Sequence, residues 1–363
     1  MKRTIYFLVL IIFIVSTVWI FQNIIRKEGL DEGKPIILPV ERFIIQHLLH
    51  DDGTIRTNVE LQDGSELALS ESLGLWMEYL AEKEDSLRFK DAYDTLINKF
   101  LLKEGVIAWK IEVDEIANTN ALIDDMRIMK ALFLEGERTG NKDYIETATK
   151  IAKSIVMYNR HGEHFVDFYD TDHRYANEEI TLSYLDIEGF RYLSKYELIS
   201  EESIKVLERF MIEIPSNNGF FPKSYRVVTH TFQFDEMINL IDQVYTAIHL
   251  EKAGATTDDF YEWLKEEFYK EYLLYGRYDR ETKKRSVEYE SASVYALTIL
   301  YSLEKNDTRF AKDVYERMLT MQVHNQESQY YGGYVTSENV THSFDNLFPL
   351  IAERKLFDEQ VVN

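Results

Sequence analysis

Cysteine is absent from the 363-residue chain. No disulfide, thiolate zinc site or lipidated cysteine is open to it, so its compartment has to be read from the N-terminus. Proline (five) and glycine (15) are sparse, and no Pro/Gly/Ser-rich stretch marks a linker. The roughly 325 residues that follow the N-terminal segment therefore read as one large domain rather than two. Positive charge is also scarce: 41 Lys and Arg against 63 Asp and Glu leave a formal charge of −22. Phosphate contacts need clustered Lys and Arg, and no cluster is visible, which argues against a nucleic-acid partner and mildly against a strongly anionic polymer as substrate. Gly-x-Gly-x-x-Gly, P-loop and nucleophile-elbow motifs are all missing. His47 and His50, and His161, His164 and His173 around Asp167, Asp170 and Asp172, follow no recognised ligand spacing. The Asp-rich loop lacks the glycine and terminal glutamate of an EF-hand, so neither metal nor cofactor is expected.

What is present begins at the N-terminus. Lys2 and Arg3 precede an apolar run from Ile5 to Phe21, broken only by Ser16 and Thr17, and apolar character resumes at Ile24 and Ile25. About 20 such residues span a bilayer as a helix. A cleavable signal peptide would have a shorter run and a small-x-small site, and neither is found. Residues 1–35 therefore read as an uncleaved signal anchor with a short linker, and residues 36–363 as a domain outside the cell membrane, single-pass by this reading or secreted if the segment is cleaved.

From about residue 38, apolar residues recur at three- and four-residue spacing between short polar turns. Helices are predicted near 38–49, 66–83, 86–101, 121–139, 142–159, 180–196, 200–212, 233–252, 257–274, 288–304, 307–322 and 341–356. Asn141 and Asn306 stand where N-caps are wanted. Twelve helices make six hairpins, which form either an open solenoid or a closed toroid. The segments 102–120, 160–179, 213–232 and 323–340 are long and rich in aromatics, Gly and Asp. Long aromatic loops are usually functional. An all-α fold, an (α/α)6 barrel whose loops form one face, uses all of these features.

One candidate for chemistry is Glu71, at the start of the second predicted helix in Leu69-Ser70-Glu71-Ser72-Leu73-Gly74-Leu75-Trp76. Burial raises a carboxyl pKa while a helix N-terminus lowers it, so a proton donor at neutral pH requires that burial win. The run of segments around it resembles glycoside hydrolase family 8, the bacterial cellulases, chitosanases and exopolysaccharide hydrolases. Asp52-Gly53-Thr54 is similar to the family's opening turn, and Ser70-Glu71 to its Ser-Glu-Gly acid motif. Gly105-Val106-Ile107-Ala108-Trp109 resembles its Gly-Leu-Phe-Ala-Trp. Asp125-Met126-Arg127-Ile128 resembles its Asp-Leu-Asp-Ile, Leu182-Ser183-Tyr184 its Pro-Ser-Tyr, and Phe234-Asp235-Glu236 its Tyr-Asp-Ala.

The resemblance implies an inverting hydrolase in which Glu71 is the general acid, Asp235 the base that activates water, and Asp125 the residue that holds the sugar. Asp124 beside it leaves that last role open by one position. Tyr184 and Trp109 are the implied subsite residues, and the implied partner is a polysaccharide, with synthesis machinery for the same polymer as a further one. The chain departs from the family pattern at Ser72, at Leu75-Trp76 and at Ile238, where an arginine is expected. These departures suggest a divergent branch nearer the exopolysaccharide hydrolases than the cellulases. Two other readings stay open: a non-catalytic carbohydrate-binding protein on the same fold, and a helical-repeat scaffold of a synthesis complex, for which an open solenoid would be expected.

Overall fold

The computed structural model describes residues 37–59, 67–112, 115–335 and 341–362. The expected membrane anchor lies outside them. Among the described residues no helix is long and apolar enough to cross a membrane. The described residues form twelve α-helices in chain order: α1 (Pro39–Phe43, continued by a π-turn to Leu48), α2 (Ser70–Lys83), α3 (Ser86–Thr95), α4 (Leu122–Thr139), α5 (Lys142–Tyr158), α6 (Ile187–Lys195), α7 (Glu201–Ile212), α8 (Leu240–Lys252), α9 (Asp258–Glu271), α10 (Ala292–Glu304), α11 (Thr308–Leu319) and α12 (Phe344–Asp358).

The two sets of helices differ in what they bury. Helix α10 is buried on nearly every side, from Ala292 through Leu303, whereas its partner α11 buries one stripe of Phe310, Ala311, Val314 and Met318. A helix apolar all round belongs inside, and one with a single stripe belongs outside. Contacts bear this out: α2, α4, α6, α8, α10 and α12 each pack on the next, and α12 returns to α2. The closing contact includes a 2.8 Å hydrogen bond between the hydroxyls of Ser72 and Ser343. Outside this ring α1 lies on α12, α3 on α2, α5 on α4, α7 on α6 and α11 on α10, while α9 sets Phe260 and Tyr261 against Tyr301 of α10. The unit from Pro39 onward is a closed barrel of helical hairpins and not an open solenoid.

Polar caps set most of the boundaries. Side chains of Asp85, Asn141, Asp186, Ser200, Asn239, Ser291 and Asp307 each accept a bond from a backbone N–H in the first turn that follows. Such caps satisfy donors that a helix start leaves free. Asn306 is not a cap: it adopts φ 57° and hands that role to Asp307. Inner-to-outer turns are short, residues 84–85, 140–141, 196–200, 253–257 and 305–307, so each hairpin is antiparallel and the inner helices all run the same way. The long outer-to-inner connections therefore gather at the N-terminal end of the inner helices.

Those connections carry short antiparallel strands. A three-stranded sheet joins β1 (Ala68–Leu69), β2 (Lys110–Glu112) and β3 (Glu115–Ile116). Hairpins pair β4 (Arg160–His161) with β5 (His164–Phe165) and β6 (Tyr169–Asp170) with β7 (Tyr175–Ala176). A second three-stranded sheet joins β8 (Glu179–Thr181), β9 (Ser224–Arg226) and β10 (Thr231–Gln233), and β11 (Met237–Asn239) pairs with β12 (Arg277–Asp279). Helices expected to start at 180 and 233 thus start at Ile187 and Leu240, because the preceding residues are held in sheet ladders.

Candidate active site

Pairing of Leu69 with Lys110 brings β2 alongside the start of α2, where the backbone N–H of Ser70 donates to the Trp109 carbonyl at 3.0 Å. Glu71 follows in the first turn of α2. The neighbouring inner helix α4 approaches closely because Gly74 has no side chain: a β-carbon there would lie 3.2 Å from Ile128 and 3.4 Å from Arg127. Asp124, in the first turn of α4, accepts from the Ser70 hydroxyl at 2.9 Å and from Arg127 at 3.0 Å. Ser70, Glu71, Asp124 and Arg127 therefore form one cluster between two inner helices.

Burial pushes the Glu71 carboxyl up to about 7, the nearby charge of Asp124 pushes the same way, and Arg127 opposes both. Burial thus outweighs the helix N-terminus, as a proton donor requires. Asp124 is raised by burial too, but Arg127 and Ser70 bond it directly and work against that rise. None of the described residues donates to the Glu71 carboxyl, so Glu71 is the member of the pair better suited to keep the proton.

Asp125 lies elsewhere. It is fully buried, and its carboxylate accepts from Asn120 Nδ2 at 2.7 Å. Asn120 in turn bonds Asn159 and accepts the Tyr169 N–H at 2.7 Å. Asp125 therefore anchors the loop in front of α4, and burial holds its carboxyl well above the usual range. Its second oxygen, Oδ1, is buried with no hydrogen-bond partner among the described residues. The carboxylate beside Glu71 is Asp124.

Tyr184 ends a 3₁₀ turn, Leu182–Tyr184, after β8. Its hydroxyl is raised above the ordinary tyrosine range by burial first and then by the charges of Asp124, Asp167, Glu71 and Asp242. These carboxylates come from α2, α4, the β5–β6 loop and α8, so Tyr184 stands among groups from separate parts of the chain. Asp167 accepts the Thr181 N–H at 2.6 Å and the Thr181 hydroxyl at 2.8 Å, yet burial still raises it to about 6. Asp235 is not at a helix start. It sits half-buried in the turn between β10 and β11, with Lys223 at 4.0 Å. Asp242, in the first turn of α8, is raised by burial, against the pull of Lys223 and with a push from Asp235. Trp109 is 39% exposed beside the start of α2, with Lys110 over its ring.

Sequence reasoning missed Asp167, Asp242 and Arg127 as members of this group. Asp242 carried a signal, an acid in the first turn after the Asn239 cap. Asp167 carried none, since its partner Thr181 is 14 residues away. His173 bonds Asp170 within a surface turn.

No family model matches the chain. It is 42% identical over 325 residues to the Bacillus subtilis (strain 168) protein YdaJ, covering 89% of this chain and 88% of that protein, whose name carries the word lipoprotein. A novel alpha-amylase from Clostridium perfringens superposes with a TM-score of 0.80 at 27% identity, over 87% of this chain and 96% of its own. PssZ from Listeria monocytogenes gives 0.73 at 28%, over 87% and 94%. The chain belongs to the YdaJ family. Family 8 endoglucanase Cel10 from Klebsiella pneumoniae shares the fold at 14% identity, with a TM-score of 0.64 over 88% of this chain and 99% of that one. The helical barrel is thus shared with solved family 8 enzymes while most residues differ.

Proposed function

We propose that this protein is an inverting glycoside hydrolase that cleaves a bacterial exopolysaccharide outside the cytoplasmic membrane, tethered by its N-terminal segment. One observation carries the reading: Glu71 is an acid near pH 7 beside an Arg127-bound Asp124, at the loop-bearing end of a family 8 barrel. Two carboxyl groups in different environments are the requirement for glycoside hydrolysis. In the proposed reaction Glu71 gives its proton to the glycosidic oxygen as the C1–O bond breaks. A water on the opposite face forms the new bond to C1 and yields its proton to Asp235. Inversion of this kind works with about 6.5–9.5 Å between acid and base, enough to admit that water. Asp124 holds sugar hydroxyls next to Glu71, and Tyr184 and Trp109 border the subsite.

The named relatives support the substrate class in different ways: one is an alpha-amylase, another an endoglucanase. The test is incubation of the purified protein with its host's own exopolysaccharide, following reducing ends and, by ¹H NMR, the anomer first released. Release of ends with the anomer opposite to that of the substrate linkage is expected. Binding without release would instead favour the non-catalytic carbohydrate-binding reading, to which the half-exposed position of Asp235 lends some weight.

A further inference from the structure

Arg127 reaches beyond the cluster that holds Glu71. One amino group bonds Asp124 at 3.0 Å, the other bonds the Tyr245 hydroxyl of α8 at 2.8 Å, and Nε lies 3.4 Å from the carboxylate of Glu78. The guanidinium is buried to 3% exposure, so its charge is shared among these three neighbours and hardly with water. Glu78 lies seven residues after Glu71 on α2, two turns along the same face. It borders an axial cavity of about 410 Å³ lined by residues of all six inner helices, among them Glu82, Asp186 and His249. Lys130 of α4 is its second cation, at 3.8 Å, and is itself bound to Asp186 at 2.7 Å.

We propose that Glu78 is a positioning residue for the proton donor: by holding the far side of Arg127 it fixes how much of that positive charge reaches Asp124 and Glu71. Only a partly neutralised guanidinium suits a site that must keep one carboxyl protonated beside another that is bonded to Arg127. With Glu78 uncharged, the full charge of Arg127 falls on Asp124 and Glu71 and draws the proton off Glu71. The charged and titratable groups facing Glu71 are Asp124 and Arg127 of α4 and Tyr184 of the 3₁₀ turn. Those facing Glu78 are Arg127 and Lys130 of α4, Tyr245 of α8 and Glu82 of its own helix.

This proposal rests on the reading of Glu71 as the acid, so its test is made without turnover. The titration midpoint of Glu71 is followed by ¹³C NMR in protein labelled at glutamate carboxyls, assigned with Glu71→Gln. Glu78→Gln is expected to lower the Glu71 midpoint by about half to one pH unit, the size of a unit charge removed at roughly 10 Å in a partly buried setting. Glu78→Asp should return most of that shift. Lys130→Gln leaves Glu78 to pair with Arg127 alone and should move the midpoint upward, so either folded variant decides the matter. An unchanged midpoint in Glu78→Gln, or a shift of the same sign in both variants, would overturn the proposal. If the midpoints move as expected while no polymer is cleaved, the hydrolase reading fails and the positioning role stands.

Discussion

Adjacent residues on a helix point about 100° apart, so Asp124 and Asp125 cannot share surroundings. The first meets Ser70, Arg127 and Glu71, while the second meets Asn120 in the interior. Asp124→Asn is expected to lower turnover by about 10²-fold or more, since it removes the charge that the proposed reaction sets at the sugar. Asp125→Asn should leave turnover near wild type, because an asparagine oxygen can accept the same Asn120 bond. Its stability effect has a definite sign. A carboxyl whose folded pKa is raised contributes stability at acid pH and loses it as pH rises, so the asparagine variant should gain on wild type toward neutral pH. Paired kcat and thermal-unfolding measurements on both variants check this, and a larger kcat loss at Asp125 would reverse the assignment. The sequence resemblance pointed to this pair but not to the member facing Glu71. That choice depends on the phase of α4 against α2, which Gly74 sets by close packing and no motif records.

Among the secondary-structure elements, all twelve helices were legible from their periodicity. The late starts of α6 and α8 were not, because Glu179–Thr181 and Met237–Asn239 continue the helical spacing of the residues after them and are strands only through partners at Ser224–Arg226 and Arg277–Asp279. Asp235 was consequently read as a helix-start residue although it belongs to a turn. Helix α12 contains another feature invisible in sequence, the buried Glu353. It accepts the Tyr334 hydroxyl at 2.5 Å and lies 3.3 Å from Gln322, and burial lifts it to about 7 from an ordinary value of 4.5. The stability it contributes is complete below pH 4.5 and is lost as pH rises through about 7. Glu353→Gln keeps the hydrogen bonds without that loss. Its unfolding temperature should equal or fall below wild type at pH 4 and exceed it at pH 8, by up to about 3 kcal/mol in stability. The same ranking at both pH values would contradict the assignment.

For the whole molecule, closure of the barrel decides whether the loops meet at all. Near the closing seam the loop at Tyr330–Tyr334 passes over α1, and Gly332, at φ +84°, has room for no side chain: a β-carbon would stand 2.2 Å from the Pro39 carbonyl oxygen. Gly332→Ala should therefore destabilise far more than Gly140→Ala, which has φ +72° but open space around it and costs about 1 kcal/mol in backbone strain alone. Chemical denaturation of the two variants gives the comparison, and equal losses would show that the seam can yield. The central claim, that the closed ring delivers Glu71 as a proton donor, is tested most directly by the rate at which Glu71→Gln releases reducing ends from the native exopolysaccharide. Glutamine keeps the size and hydrogen-bonding reach of the acid but has no proton to give. A loss on the order of 10²–10⁴ with substrate affinity retained is predicted, alongside wild-type activity that declines as pH rises through about 7. Full activity in Glu71→Gln would contradict the account.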